Sequence, residues 1–502
     1  MGGGHGRKVD VTGSLSRCAW AAVSLVAALV GCADLSSLKL SHPAVAPASQ
    51  PTASLKVDAS QIPPMYLRLL AVNLPTVVRV AMARNLDIQA AQQRIEASRG
   101  AYESSVGAIF PSLTPNVTAI GIEGAISNPG GGFGLANFTD VFPAVMIQWI
   151  INPGQVAYDV VASKRRLEAS AQQEQALTQE TARVAAVQYY DLVLVQTQVS
   201  ATRQAVEEAE ELLRIERLRS DTGNALPADV LRAEAALAGR QHDLLTALNG
   251  FYNASVALTV TLHLDPTVML APQAGTMKQA TLVSEDFRID DMLTMAVRYR
   301  PDLQAVRTLL AAAKSDKGAT VWGGLGPQVQ AAGRFGPPPP AHAPANTLYR
   351  EQKYVATGGF NWSAATFGRI RSAVANVKIA GLDLDRELDQ VRAAVVSAHQ
   401  ASLTAAQLIP IARQQVTSAE EALRLTQENL KAGTGLIVDV LLAEAAAEQA
   451  RARYATAIVR YNQSQIDLLA ALGLIDQTNI DGGSIVAPTP GATSEPSRSA
   501  PK

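Results

Sequence analysis

The stretch KAGTGLIVDVLLAEAA, residues 431–446, has a near-copy earlier in the same chain, DTGNALPADVLRAEAA at residues 221–236. With Gly223 aligned to Gly433, the two stretches match without a gap at a constant offset of 210 residues. The alanine-rich composition could supply the matching alanines. It does not readily supply the other identical pairs, which are Gly223/Gly433, Leu226/Leu436, Asp229/Asp439 and Glu234/Glu444. The repetition indicates that the chain contains two copies of one unit.

A second pair of matching segments extends the repeat. AMARNLDIQAA begins at Ala81 and AVRYRPDLQAV begins at Ala296, so the offset here is 215 residues. A small drift is expected where the loops of the two copies differ in length. We predict a first copy at residues 65–270, a linking segment at 271–289 and a second copy at 290–475.

Long helices are the main element of each copy, because runs rich in Ala, Glu, Gln, Arg and Leu continue for many turns. The predicted helices are 75–110, 154–222 and 227–264 in the first copy and 290–325, 368–432 and 438–474 in the second, with a kink at Pro410. The longest would extend for roughly 100 Å, about the summed length of the two shorter helices in its copy. One continuous helix can therefore pack beside two shorter helices stacked end to end, as in a coiled-coil wall.

Four segments between the helices have the pattern of strands, and they are PNVTAIGIEGAIS, FTDVFPAVMIQWII, QVQAAGRFG and KYVATGGFNW. Alternating strands of about 10 residues, apolar outside and polar inside, are the signature of a membrane β-barrel. Four strands cannot close a barrel, and lipid does not tolerate an open sheet edge, so strands from several chains must close it. Trp149 and Trp362, near the strand ends, are candidates for the membrane interface. Tryptophans in a buried junction are the alternative.

The N-terminus has the pattern of a processing signal. Basic residues precede the apolar run CAWAAVSLVAALVG, which is too short to span a bilayer comfortably. Its end resembles a bacterial lipobox, which implies removal of residues 1–31 and lipidation of Cys32; an ordinary secretory signal is the alternative. We predict a tether rich in Ser, Pro and Ala at residues 32–64 and a disordered tail at 476–502.

Several functional classes are disfavoured by composition. The formal net charge of −1 does not suggest a nucleic-acid partner. The six histidines have no spacing typical of a metal site, and no cofactor is expected. No Ser/His/Asp, paired-carboxylate or phosphate-loop constellation is present, so we do not expect an enzyme.

The segments that carry a resemblance to a known family are the paired turns GNALPADVLRAEA and GTGLIVDVLLAEA, the helix starts RNLDIQA and RPDLQA, and the segment FNWSAATFGR. Over residues 65–475 the chain resembles the TolC/OprM-type outer-membrane efflux protein family. The resemblance implies a mainly α fold with a membrane β-barrel portion, in which long helices form a tunnel and each chain adds four strands. It implies a homotrimer with a twelve-stranded barrel in the Gram-negative outer membrane, extending into the periplasm. Such a trimer is a passive exit channel for a periplasmic adaptor and an inner-membrane pump. The lipobox at Cys32 fits the lipoprotein branch of that family, with outer-membrane lipid as its partner.

The same resemblance assigns roles to the repeated turns at the periplasmic tip. Adaptor docking would use the turn residues Gly223, Leu226, Asp229, Gly433, Gly435 and Leu436. A periplasmic gate would include Asp439, while the second gate position, acidic in the family, is Leu442 here. An alternative remains open for both aspartates, because a carboxylate in the first turn of a helix is favoured by the free N–H groups there.

Two other functions remain to be considered beside the efflux channel. The same duct could serve a type I protein secretion system. A periplasmic adaptor also has a long helical hairpin, but one hairpin within β-rich domains rather than two copies with lipid-facing strands.

The anchor can be tested directly. We expect that Cys32→Ser removes the lipid and slows maturation, because the thiol is the group that is bonded to the lipid in a lipobox. Intact-mass spectrometry of protein from membranes measures the lipid, and Cys18→Ser, within the predicted signal, is the control that should leave it unchanged. A wild-type protein without lipid on Cys32 would show that the lipobox interpretation is wrong.

Overall fold

The computed structural model describes residues 68–127, 132–223, 226–273, 277–284, 287–336, 351–360 and 362–476 of the 502-residue chain. These residues all belong to the unit of the chain that begins at Leu67. The predicted signal, Cys32, the tether and almost all of the predicted tail lie outside the described residues.

The two copies have the same order of elements: a short strand, two helices, two longer strands, a very long helix and a final helix. The first copy consists of β1 (Arg68–Val72), α1 (Leu74–Arg84), α2 (Leu86–Gly107), β2 (Ser112–Ser127), β3 (Phe133–Ile151), α3 (Pro153–Asp221) and α4 (Pro227–Thr261). The second consists of β4 (Val268–Pro272), α5 (Ile289–Tyr299), α6 (Pro301–Leu325), β5 (Pro327–Gly336), β6 (Glu351–Phe360), α7 (Ala365–Lys431) and α8 (Ile437–Ala471). The mainly α, duplicated fold with four long strands confirms the predicted fold class. The four longest helices match their predicted bounds to within about three residues.

The first helix of each copy, predicted as one element, is two helices, so the predictions 75–110 and 290–325 are wrong in this respect. Asn85 interrupts the first, because its side-chain oxygen accepts hydrogen bonds from the N–H groups of Asp87 (2.8 Å) and Ile88 (3.0 Å) and so starts a new helix. Arg300 interrupts the second, since Pro301 excludes its predecessor from the helical conformation. By contrast, α7 continues through Pro410.

The short strands β1 and β4, which the sequence analysis missed, join the two copies. They pair in parallel, with Leu70 opposite Leu270, so the starts of the two copies lie side by side. Leu270 is fully buried in the largest hydrophobic cluster of the described residues, together with Val78, Tyr189 and Leu472. This cluster ties the strand pair to the long helices.

The four longer strands form one antiparallel sheet in the order β2-β3-β5-β6. The central pairing of β3 with β5, in which Trp149 lies opposite Ala331, joins the two copies a second time. Large apolar side chains of the sheet are exposed in the single chain, among them Leu113, Tyr354 and Phe360. Within the part of the chain that the structure describes, the outer edges of β2 and β6 have no strand partner.

The helices form a layer four helices wide around α3, which has 69 residues. On the strand side the packing order is α2, α3, α6 and α7; on the other side it is α4, α3, α8 and α7. The 67-residue α7 and α3 therefore run through both halves, and pairs of shorter helices fill the spaces beside them, as predicted. Small residues allow these close contacts, since Ala182, Ala185 and Ala186 are fully buried. None of the helices among the described residues has an apolar stretch long enough to cross a membrane.

Residues 277–284, between β4 and α5, form a linking segment that lies along α8 and is held by its side chains. Gln465 accepts hydrogen bonds from the N–H groups of Leu282 (3.0 Å) and Val283 (2.9 Å), and Asn462 accepts one from Ala280 (2.9 Å). Gln465 and Asn462 are almost fully buried. Satisfied polar groups at this depth fix the position of the linking segment on the helix.

The last helix of each copy ends in the same backbone motif at the offset of 210 residues, 263 against 473. Gly473 is left-handed, with a φ of 72°, and its counterpart His263 has a φ of 50°. In both, the next N–H bonds back five residues, from Leu474 to Leu469 and from Leu264 to Thr259. This motif favours glycine at the left-handed position, so His263 is strained where Gly473 is not.

We expect His263→Gly to stabilise the protein by about 0.5–1 kcal/mol, because glycine removes the left-handed penalty of an exposed side chain. The midpoint of heat-induced loss of helical circular dichroism measures the change. Gly473→Ala is the matched control and should destabilise, since a Cβ there would lie 2.8 Å from the Cα of Arg300. A lower midpoint for His263→Gly would contradict the strain.

Candidate functional site at the hairpin tips

Two helical hairpins, α3–α4 and α7–α8, end in turns built around a left-handed glycine. Gly223 has a φ of 73° and Gly433 a φ of 80°. In the second turn, the N–H of Gly433 donates to the carbonyl of Leu430 (3.1 Å) and the N–H of Thr434 to that of Asn429 (3.0 Å). These bonds satisfy the last carbonyls of α7, so the helix stops at this point.

An exposed leucine lies three residues after each glycine. The N–H of Gly435 donates to the carbonyl of Asn429 (2.9 Å), and a Cβ on Gly435 would lie 2.8 Å from the backbone nitrogen of Leu430. Leu226 and Leu436, at equivalent positions just before α4 and α8, are 67% and 68% exposed. Each tip therefore presents an exposed apolar side chain close to a left-handed glycine.

Asp229, in the first turn of α4, is fully engaged by its neighbours. One carboxylate oxygen accepts a hydrogen bond from the N–H of Leu226 (3.3 Å), and the other binds Arg232 at 2.7 Å. These contacts are those of a helix-start residue.

Asp439 occupies the equivalent position of α8 but has different surroundings. The counterpart of Arg232 is Leu442, which has no charge to offer. Among the described residues, no side chain or backbone group bonds to the Asp439 carboxylate, which is exposed. Val438 and Leu442 are exposed beside it, whereas Val440 is fully buried. Asp439 and Leu442 thus lie on an open side of α8, with the aspartate unpaired.

Both tips rest on one hydrophobic cluster. Its members come from α3, α4, α7 and α8 and are Leu212, Leu213, Ala233, Leu423, Leu430, Ile437, Val440 and Ala447. The cluster packs the first hairpin against the second directly beneath the turns, so the positions of the two tips are coupled.

Two carboxylates near the tips are buried, and the sequence analysis did not identify them. Glu216 is fully buried; one of its oxygens binds Arg219 at 2.7 Å, and the other has no partner among the described residues. Glu444 is 8% exposed. The spacing of Glu216 from Leu212 and Leu213, four and three residues, places it on the buried face of the helix and could have predicted its burial. The acidic run at 207–211, by contrast, is largely exposed.

The two tryptophans proposed for the membrane interface have unlike surroundings. Trp149 is half-buried at the end of β3, and its indole N–H donates to the carbonyl of Ile109 at 2.8 Å. Trp362 is exposed and lies edge-on to Phe367 with ring centres 6.2 Å apart. Both lie where the strands meet the helices. In the described ranges, no group of three or more His, Cys, Asp or Glu side chains is arranged to hold a metal ion.

The sequence model of the outer membrane efflux proteins matches residues 77–262 and 293–474, which together cover more than two-thirds of the chain. The chain belongs to this family. The two matched segments fall on the two structural copies, and the resemblance drawn from the repeated turns is confirmed. No curated protein sequence matches the chain at the level set for significance.

Solved structures of outer membrane proteins have the same fold. The CmeC outer membrane channel of Campylobacter jejuni is 17% identical with a TM-score of 0.72, over 82% of this chain and 89% of that one. VceC of Vibrio cholerae is 17% identical with a TM-score of 0.70, over 80% and 96%. MtrE of Neisseria gonorrhoeae, solved in an open state, is 17% identical with a TM-score of 0.65, over 80% and 89%. This outer membrane efflux protein therefore has the fold of known channels along nearly its whole described length.

The two aspartates provide a test of the tip. We expect Asp439→Asn to weaken the block of conductance by multivalent cations in planar bilayers, because an unpaired carboxylate attracts cations if it lines the gate. The same change should leave the first turn of α8 as protected from hydrogen exchange as before.

Asp229→Asn is the internal control with the opposite expectation. It should loosen the first turn of α4 by about 0.5–1 kcal/mol, through loss of the bond to Arg232, and leave conductance alone. Equal effects of the two substitutions on cation block would count against a gate at Asp439.

Proposed function

We propose that three copies of this outer membrane efflux protein form a passive exit duct across the outer membrane and periplasm, working with a periplasmic adaptor and an inner-membrane pump. Cys32 is the proposed lipid anchor. The observation that carries the proposal is that the edges of the helical layer expose apolar side chains and the edges of the sheet expose unpaired backbone groups.

The first uncovered surface is a stripe on α4. The large exposed apolar residues of this helix are Leu231, Leu245, Tyr252, Val256 and Val260. At about 100° per residue, all five fall on one side of the helix. Although α4 and α8 both have 35 residues, only four residues of α4 are buried, whereas seventeen residues of α8 are buried. Thus α4 lies at an edge of the layer and α8 in its interior.

The second uncovered surface is a stripe on α7, at the other edge. Six exposed apolar residues lie on the side of α7 opposite its buried residues, and they are Ile379, Leu382, Val396, Leu408, Ile411 and Leu425. Because the packing order is α4, α3, α8 and α7, the two stripes face away from each other within one chain. A second copy can cover both if its α7 packs beside α4, and contacts of this head-to-tail kind close into a ring.

The sheet requires the same ring. Four strands leave one open edge on β2 and one on β6, and unpaired backbone groups are not tolerated in lipid. Pairing β6 of one copy with β2 of the next would remove every edge, and three copies of four strands give twelve. CmeC and MtrE, which share this fold, are outer membrane channels, and this supports a closed ring.

The hairpin tips are the proposed contact with the adaptor. Leu226 and Leu436 are exposed close to the glycine turns and are the kind of apolar anchor that a partner helix can bury. Asp439 and Leu442 lie on the open side of α8, where threefold symmetry would gather three carboxylates and three leucines at the gate.

Ring closure is testable at the α4 stripe. Leu245→Asp should prevent the trimer, because lost apolar burial alone costs about 2 kcal/mol at each interface and the carboxylate adds to it. Native mass spectrometry in detergent counts the chains, and planar bilayers report conductance.

Ala257→Asp is the matched control, since it places the same charge at an exposed position of α4 outside the stripe. We expect it to retain three chains and wild-type conductance. A conducting wild-type monomer, or a Leu245→Asp protein that remains trimeric, would overturn the proposed ring.

A further inference from the structure

The repeat places a glutamate at equivalent positions of the two hairpins, Glu234 on α4 and Glu444 on α8, but the two differ in environment. The side chain of Glu234 is 43% exposed and is bound by Arg217 at 2.7 Å. Glu444 is 8% exposed and has no arginine partner in the described part of the chain. A buried carboxylate without an ion-pair partner is costly, so a physical reason is needed for a glutamate at this position.

Glu444 lies in a groove that separates the two hairpins above their tips. The groove has a volume of about 430 Å³ and is lined by α3, α7 and α8. Its α3 wall is acidic, with Glu207, Glu208 and Glu211. On the α7 wall the one charged lining residue is Lys431, whose charge acts on Glu211. The carboxylate of Glu444 therefore faces further carboxylates.

Glu208, Glu448 and Arg240 act on Glu444, and further charged groups of the neighbouring helices surround these three. Beside the acidic wall, the carboxylates are Asp243 of α4, Glu420 of α7 and Glu448 of α8, and the arginines are Arg240 of α4 and Arg451 of α8. Each arginine is bound elsewhere. Arg451 donates to Glu420 at 2.8 Å, and Arg240 donates to Glu448. Glu444 is left with the amide of Gln427 as its hydrogen-bonding partner. Arg214 binds Glu211 at 2.6 Å, and Arg451 also lies 3.9 Å from Glu208. The carboxylates still outnumber the cations, so the cluster has room for a proton.

The energetics agree with this geometry. Burial raises the pKa of Glu444 above its usual value of 4.5, and the charges of Glu208 and Glu448 raise it further. Arg240 and the hydrogen bond from Gln427 act in the opposite direction without cancelling the increase.

We propose that Glu444 binds a proton when the two hairpins pack together and releases it when they separate, so that acid tightens the packing of α3 against α8. When the groove opens, water solvates the carboxylate and Glu444 returns to its ordinary acidity. The stabilisation by the bound proton is therefore complete below pH 4.5 and is lost as the pH rises through the raised pKa of the packed state. The device acts within one chain and does not depend on which molecules are exported.

Hydrogen exchange of the full-length protein tests the device. Protection of the amides of Ile437–Ala447, corrected for intrinsic rates, should fall several-fold between about pH 5 and about pH 8 in the wild type. Glu444→Gln, which keeps the shape of the protonated side chain, should hold the protection high and independent of pH. Glu208→Gln should move the transition to lower pH, because it removes a charge that raises the pKa of Glu444.

Glu234→Gln is the matched control from the other copy and should keep the wild-type pH profile. A flat wild-type profile would overturn the proposal, as would a Glu444→Gln protein with the wild-type pH dependence. Loss of the pH dependence in Glu234→Gln would also overturn it, since the effect would then not belong to the buried copy.

Discussion

The packing of α3 against shorter helices along its whole length is the interaction on which the rest of the structure depends. A helix of 69 residues cannot bury a face against itself, and no single helix of ordinary length can cover it. The chain covers it with α2, α4, α6 and α8, two from each copy. Alanines at the contacts let these helices approach closely, and the short strands and the linking segment hold the two copies in register. The tips, the gate candidates and the sheet take their positions from this one long contact.

The two copies have identical residues at equivalent positions, but the packing of the helices gives these residues different environments. Because α4 lies at the edge of the layer and α8 in its interior, equivalent residues meet solvent in one copy and protein in the other. Glu234 and Glu444 differ for this reason. The aspartates differ through a single neighbour, since Arg232 engages Asp229 whereas Leu442 leaves Asp439 unpaired. One chain of this outer membrane efflux protein thus holds the same residue type in an ion-paired and in an unpaired environment.

Much of the fold could be predicted from the sequence because its signals are local. Composition and length identified the long helices, and glycines marked the turns. The helix breaks at Asn85 and Arg300 were missed, although the capping side chain of Asn85 and the proline at position 301 could have predicted them. The strands β1 and β4 have only five residues each, which is too short for a recognisable strand pattern. The site was predicted as a set of positions but not as a set of environments. Glu444 is buried because α3, more than two hundred residues earlier in the chain, packs near it. A local sequence pattern cannot predict a contact between segments so far apart.

The pairing of Leu70 with Leu270 has a consequence for how the chain matures. The strand that begins the first copy has no partner until the second copy has begun, and the linking segment is not held until the residues near Gln465, 183 positions later, arrive. Contacts so distant in sequence make folding slow. A polypeptide delivered from its N-terminus across a membrane would expose the apolar faces of its first half throughout that delay.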